Sequence, residues 1–148
     1  MRPDAAIILD ELAELAIDSA EAYAQAAEWA GGSDLAALFG TLSRQRRAMA
    51  AEMNAHVRAM GRVPRERDTP SGVAHRLMAR LKATFVADRP RALIEECERA
   101  DTTLAHRLIT VDERILPDKV VPLVRSFHAE VVAALGQLAA ARLRLRGH

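Results

Sequence analysis

Glu52 and His56 come nearest, in type and spacing, to a metal-binding pattern in this chain. Four residues apart on a helix, a carboxylate and an imidazole share one face and can converge on one ion. Asp101 could join them from a third helix, His128 from a fourth, and Glu21 from the edge of the first. Paired-metal sites in helical bundles ask for more: one Glu from each of two helices and Glu-x-x-His from each of the other two. The chain contains no Glu-x-x-His. If Glu52 and Asp101 are buried, arginine (Arg46, Arg47 or Arg99) or water can satisfy them instead of a cation. No cofactor is therefore expected. Iron or zinc held by Glu52, His56, Asp101, His128 and Glu21 is the alternative.

Other chemistries find little support. Cys97 lies on an apolar stripe, where a free cysteine behaves as a core residue. Neighbouring Glu96 and Glu98 oppose the lowered pKa that a redox thiol needs. Between Arg58 and Lys82, seven basic residues face only Glu66 and Asp68, so an anion or nucleic acid could dock there. That stretch lacks interleaved aromatics for base stacking, and a solvated connection is the simpler account. His75, His106 and His148 have no partners at ligand spacing, and no Gly-rich phosphate loop or nucleophile elbow occurs.

The whole chain sets further bounds. Its 148 residues suit one domain over 1–148, long enough to bury a core without a metal or disulfide. Half the residues are hydrophobic but only 3% are aromatic, so the core must be aliphatic, which suits helices better than sheets. A net charge of +1 provides no global field for nucleic acid or membrane. A single cysteine, no signal-like leader and no long apolar run make the cytoplasm the expected compartment.

The elements follow from periodicity. A first helix is expected from about Pro3 to Ala30, with Ile8, Leu12, Leu15, Ser19, Ala22 and Ala26 as its stripe. Gly31-Gly32 ends it and Ser33 caps a second, about Asp34 to Met60. The second stripe reads Leu35, Leu38, Leu42, Gln45, Met49, Glu52, His56 and Met60. A connection over 61–90 carries a short helix, about Gly72 to Val86, capped by Ser71. A third long helix, about Pro90 to Ile115, turns inward Ile94, Cys97, Asp101, Leu104, Leu108 and Val111. After Leu116-Pro117 a fourth runs from about Asp118 to Arg144, with Val124, Phe127, Val131, Ala134, Leu138 and Arg142 inward and 145–148 a disordered tail.

Two tight turns around one long connection imply two antiparallel hairpins. A helix of this size spans about 40 Å, and the connection is long enough to run back along it. The fold expected is therefore all-α: a four-helix bundle with a ferritin-like up-down-down-up crossover. An up-down-up-down bundle is the alternative. Alanine-rich faces on the first helix (Ala5, Ala6, Ala13, Ala16, Ala20, Ala24, Ala27) and the fourth (Ala129, Ala133, Ala139, Ala140, Ala141) suggest a homodimer.

The segment ALIEECERADTTL (92–104) resembles a recurrent stretch in a family of ferritin-like four-helix-bundle proteins of unknown function. DSAEAYAQAAE (18–28), LFGTLSRQRRAMAAEM (38–53) and HRLMARLKA (75–83) resemble that family's other blocks, in the same order, so the likeness spans roughly 9–140. The resemblance implies the bundle and self-association, and no established enzyme activity. The family often has a His-Asp pair late in the last helix, where this chain reads Ala134-Leu135-Gly136-Gln137. The expected function is that of a non-enzymatic structural or protein-interaction module. Its protein partner is not specified by the sequence, and metal binding is the alternative.

Overall fold

The computed structural model describes residues 3–65 and 72–146. These residues form an all-helical structure: α1 (Pro3–Ala30), α2 (Asp34–Ala59), α3 (Gly72–Ala83), α4 (Arg89–Thr110) and α5 (Val121–Arg146). Among the described residues there is no strand. Single 3-10 turns at Val86–Asp88 and Glu113–Ile115 flank α4.

Local chemistry sets the boundaries. Gly31 closes α1 with φ +68°, a left-handed conformation open to glycine at little cost. Ser33 then serves both helices: its Oγ accepts the Ala36 amide at 3.2 Å and donates to the Ala30 carbonyl at 3.0 Å. α3 stops three residues before the expected Val86. α4 stops at Thr110 rather than Ile115, because Asp112 accepts the Arg114 amide (3.1 Å) and starts the 3-10 turn. α5 starts at Val121, which puts Pro122 in its first turn, where no amide partner is lost. The helix runs to Arg146, past the expected start of a tail. The Ser71 cap, Glu66, Arg67, Asp68 and His148 lie outside the described residues.

Two apolar clusters fix how the helices run. One joins the first half of α1 (Leu9, Leu12, Ala16), the second half of α2 (Met49, Met53, Val57), the second half of α4 (Leu104, Leu108) and the first half of α5 (Val124, Phe127, Val131). The other joins the remaining halves: Tyr23 and Ala26, Phe39 and Leu42, Leu93, Ile94 and Cys97, and Ala134 and Leu138. α2 and α4 therefore run one way, and α1 and α5 the other. The connection must return along the molecule before α4 begins, and α3 does so lying against α1 and α4 with Leu77 and Leu81 in the second cluster. Each buried Leu or Phe here is worth a few kcal/mol, about 2–5 if truncated to Ala.

The inner faces of α4 and α5 are the expected ones except at Val111, which lies past the end of α4 and is half-buried. Ile94, Cys97, Asp101, Leu104 and Leu108 are buried, as are Val124, Phe127, Val131, Ala134 and Leu138, and Arg142 is half-buried. α2 corrects the expectation. Its buried positions are Phe39, Leu42, Ser43, Arg46, Met49, Ala50, Met53 and Val57. Gln45 and Glu52 are exposed and His56 only half-buried. The true stripe sits about one residue's rotation away, near 100° on a helix. An arginine at its centre disguises it.

Candidate functional site

At the waist between the two clusters the chain buries polar residues: Ser19 on α1, Ser43 and Arg46 on α2, and Asp101 on α4. Arg46 and Asp101 are both 0% exposed. Arg46 Nε donates to Asp101 Oδ1 and Nη2 to Oδ2, each at 2.9 Å, the two-point match of guanidinium to carboxylate. Ser19 Oγ donates to Oδ1 at 2.6 Å, and the Tyr23 hydroxyl donates to Oδ2. Asp101 thus accepts from four donors, two on each oxygen, supplied by α1 and α2.

The surroundings follow from this pairing. Arg46 also lies over the Tyr23 ring, 5.9 Å from its centre, and that ring meets Phe39 at 6.2 Å. Ser43 donates to the Ala20 carbonyl at 2.8 Å and satisfies itself against α1. Burial, then the negative charge of Asp101, pushes the Tyr23 phenol above its usual range. Burial would lower the Arg46 pKa, but the hydrogen bonds and charge of Asp101 outweigh it and the guanidinium is held more firmly protonated. The same two influences, burial first and Asp101 second, raise the Cys97 thiol well above the ordinary thiol range. An aspartate with both oxygens doubly engaged, a neutral phenol and a protonated buried thiol offer no base and no nucleophile. What the arrangement does is hold three helices at one height.

The candidate metal ligands are distributed differently. Asp101 is inward, as expected, and is met by Arg46, one of the arginines considered for it. Glu52 is exposed on α2, and His56 is half-buried a turn further on. His128 lies half-exposed on α5, in the wall of a cleft of about 550 Å³ formed with Ile109, Val111, Asp112, Glu113, Arg114 and Arg125. Glu21 is half-buried on α1 and already engaged in an interaction. Among the described residues, no three His, Cys, Asp or Glu side chains are grouped so as to hold a metal ion. Sequence reasoning missed Tyr23. Its signal was present: Ser19 and Tyr23 are four apart and share a face, and Tyr23 is the chain's only tyrosine.

The basic segment is largely a set of struts. Arg62 Nε reaches Asp10 at 3.3 Å, the Arg65 amide reaches the same carboxylate at 3.2 Å, and Arg65 Nη1 reaches Glu14 at 3.3 Å. Arg80 binds Glu95 and, at 2.8 Å, Glu96, which ties α3 to α4. Those bonds to Arg80 lower the Glu95 pKa. Arg58, Arg76 and Lys82 remain exposed.

Opposite its buried stripe, α5 presents a second uncharged face. Ser126, Ala129, Val132, Ala133, Gly136, Ala140 and Leu143 are all exposed. They recur at steps of three and four and so share one side of the helix. Val132 is 49% and Leu143 62% exposed. Between Arg125 and Arg144 the only charged residues are Glu130, at the edge of this face, and Arg142, which is paired with Glu98 at 2.8 Å. No helix among the described residues is long and apolar enough to cross a membrane.

In comparison with known proteins, the model of the family described as Domain of unknown function (DUF2383) fits residues 4–110, from the start of α1 to the end of α4. No curated protein and no solved structure matches the chain.

Proposed function

The chain belongs to that family of unknown function, and from this premise we propose that it is a non-enzymatic helical module that assembles with a second copy of itself. The single observation behind this reading is the uncharged outer face of α5. A solvent-facing helix surface normally carries charge, and an apolar stripe facing water marks an interaction site. Here the stripe is also made of small residues, so another helix can approach closely. Gly136 has open space where a side chain would stand.

Charge pattern favours a second copy as the occupant. Glu130, Gln137 and Arg144 lie seven apart along one edge of the stripe. In an antiparallel helix pair, like edges face each other. Pairing centred on Gln137 sets Glu130 of each copy against Arg144 of the other. It also places the small residues of each stripe between those of its mate. The interface is completed by surface flanking α5, since a stable one buries roughly 800 Å² per partner.

The fold belongs to the same reading: a ferritin-like four-helix bundle with α3 as the crossover. The head-to-tail matching of helix halves in the two clusters supports it. In this reading the inward carboxylate serves structure, since its four lone-pair positions are filled from within.

The experiment is sedimentation velocity on the full chain from low to high micromolar concentration, with Gly136→Arg alongside. The expected wild-type mass is that of two copies, and the expected variant mass that of one, with helix content unchanged. A wild type that stays monomeric throughout the range would sink the reading.

A further inference from the structure

The end of the molecule where α1 and α3 finish carries an exposed apolar pair: Phe85 is 84% and Val86 73% exposed. They follow α3 at the 3-10 turn that leads into α4. Trp29, on the last turn of α1, is also exposed and lies beneath Arg89, whose guanidinium is 5.8 Å from its ring centre. Met78 and Lys82, four apart, share the outer side of α3. Charge is equally one-sided. Residues 72–91 hold five cations, Arg76, Arg80, Lys82, Arg89 and Arg91, and one acid, Asp88, so the +1 of the whole chain conceals a local surplus. Glu95 and Glu96 engage Arg80, and Glu95 lies 3.4 Å from Arg91, while Arg76 and Lys82 face solvent. The backbone of the turn is closed on itself. The Thr84 amide donates to the Leu81 carbonyl at 3.2 Å, the Asp88 amide to Phe85 at 2.9 Å, and the Arg89 amide to Val86. The Thr84 hydroxyl donates to the Arg80 carbonyl at 2.6 Å.

We propose that this tip binds the surface of an anionic lipid bilayer, with Phe85 and Val86 inserted among the acyl chains and Arg76, Lys82, Arg89 and Arg91 at the headgroup phosphates. The excess of cations matches the negative potential of such a surface. An indole and long cationic side chains favour the layer between acyl chains and water. A turn that satisfies its own amides enters that layer without stranding polar groups. Two neighbouring side chains on a turn offer little area, whereas a stable protein contact needs roughly 800 Å² per partner; a fluid lipid surface needs no matching shape. α3 packs against α1 and α4, so the tip is separate from the outer face of α5 and its binding does not depend on self-association.

The test is flotation of the full chain with phosphatidylcholine vesicles, with and without phosphatidylserine, read also by the fluorescence of Trp29, the chain's only tryptophan. The chain should float with the anionic vesicles and scarcely with the neutral ones. Its emission should shift to the blue and be quenched by brominated acyl chains. Added salt should weaken binding, because it screens exposed charge. Phe85→Ser/Val86→Ser should weaken binding about tenfold or more, since each apolar side chain removed from water contributes roughly that much. Lys82→Ala should weaken it about fivefold, the contribution of one cation near an anionic leaflet. These side chains are exposed, so circular dichroism should show an unchanged fold. Val63→Ser, equally exposed but beyond the other end of α2, should bind as the wild type does. A chain that ignores anionic vesicles overturns the proposal and leaves the tip to a protein partner. Equal flotation with neutral vesicles, or binding that survives Phe85→Ser/Val86→Ser, overturns it as well.

Discussion

Arg46 and Asp101 meet in the centre of the molecule through two parallel hydrogen bonds of 2.9 Å, with neither side chain reaching solvent. Desolvating two such charges costs several kcal/mol each, so the pair is worth little beyond an apolar replacement of the same shape, yet removing one partner strands the other. Asp101→Ala should therefore destabilise the fold by about 3–5 kcal/mol. The double variant Arg46→Met/Asp101→Leu should recover most of that. Urea midpoints of the three proteins decide this, and a double variant no better than the single would refute the stranded-charge argument. Glu52→Ala on the exposed side of α2 should stay within about 0.5 kcal/mol of the wild type.

Tyr23 gives a pH prediction with a definite sign. Its pKa in the folded state is raised above the ordinary 10.0, by burial first and by the charge of Asp101 second. The unfolded chain loses the phenolic proton at lower pH than the folded one. The contribution is thus fully present below about pH 10 and is lost as pH climbs above it. Melting temperature should fall from pH 10 upward in the wild type and more gently in Tyr23→Phe. Because Tyr23 is the only tyrosine, phenolate absorbance should appear only as the protein unfolds. Near neutral pH, Tyr23→Phe should cost about 1.5–3 kcal/mol, the range for a hydrogen bond to a charged acceptor.

Cys97 should be silent in the native state. It is fully buried, and its thiol is pushed well above the ordinary range by burial, then by Asp101 and its glutamate neighbours. The reaction with an aromatic disulfide at pH 8 should proceed at the rate of opening of the structure and accelerate steeply in sub-denaturing urea. Immediate stoichiometric labelling in buffer would contradict this burial.

The antiparallel register makes a charge-swap prediction. Glu130→Arg alone and Arg144→Glu alone should each weaken self-association by placing like charges together. The double swap should restore it. Exposed single pairs are worth roughly 0.2–1 kcal/mol, and each exchange occurs twice in a symmetric dimer. Shifts of several-fold in dissociation constant are therefore expected from concentration-dependent sedimentation. Dimers unaffected by either single change would place the contact elsewhere.

Much of the fold was legible because α4 and α5 carry plain apolar stripes, from Ile94 to Leu108 and from Val124 to Leu138. α2 was not, and Arg46 is the reason. Reading an arginine as outward rotates the helix until Gln45, Glu52 and His56 fall on the inside, and those residues then resemble a ligand set. Phe39, Met53 and Val57 give the correct orientation only once Arg46 is allowed in the core. Its admission depends on Asp101, 55 residues away, which local periodicity cannot register. Ser19 was placed inward by spacing alone, but its role as a donor needed the height of Asp101 along the neighbouring helix. The axial match of residues on different helices is a product of packing and is not written in any one segment.

The sequence distances around Asp101 also bear on the order of folding. Its partners Ser19 and Arg46 lie 82 and 55 residues upstream. The α1–α2 and α4–α5 hairpins close through short loops and gain their contacts early, whereas the carboxylate reaches its donors only after the intervening chain has been fixed. Until then, Arg46 sits on one hairpin and Asp101 on the other, each hydrated. Joining the hairpins removes that water in one step, so a partly docked intermediate would hold an unmatched charge and be disfavoured. The waist thereby acts as a latch, making completion of the structure a single cooperative event.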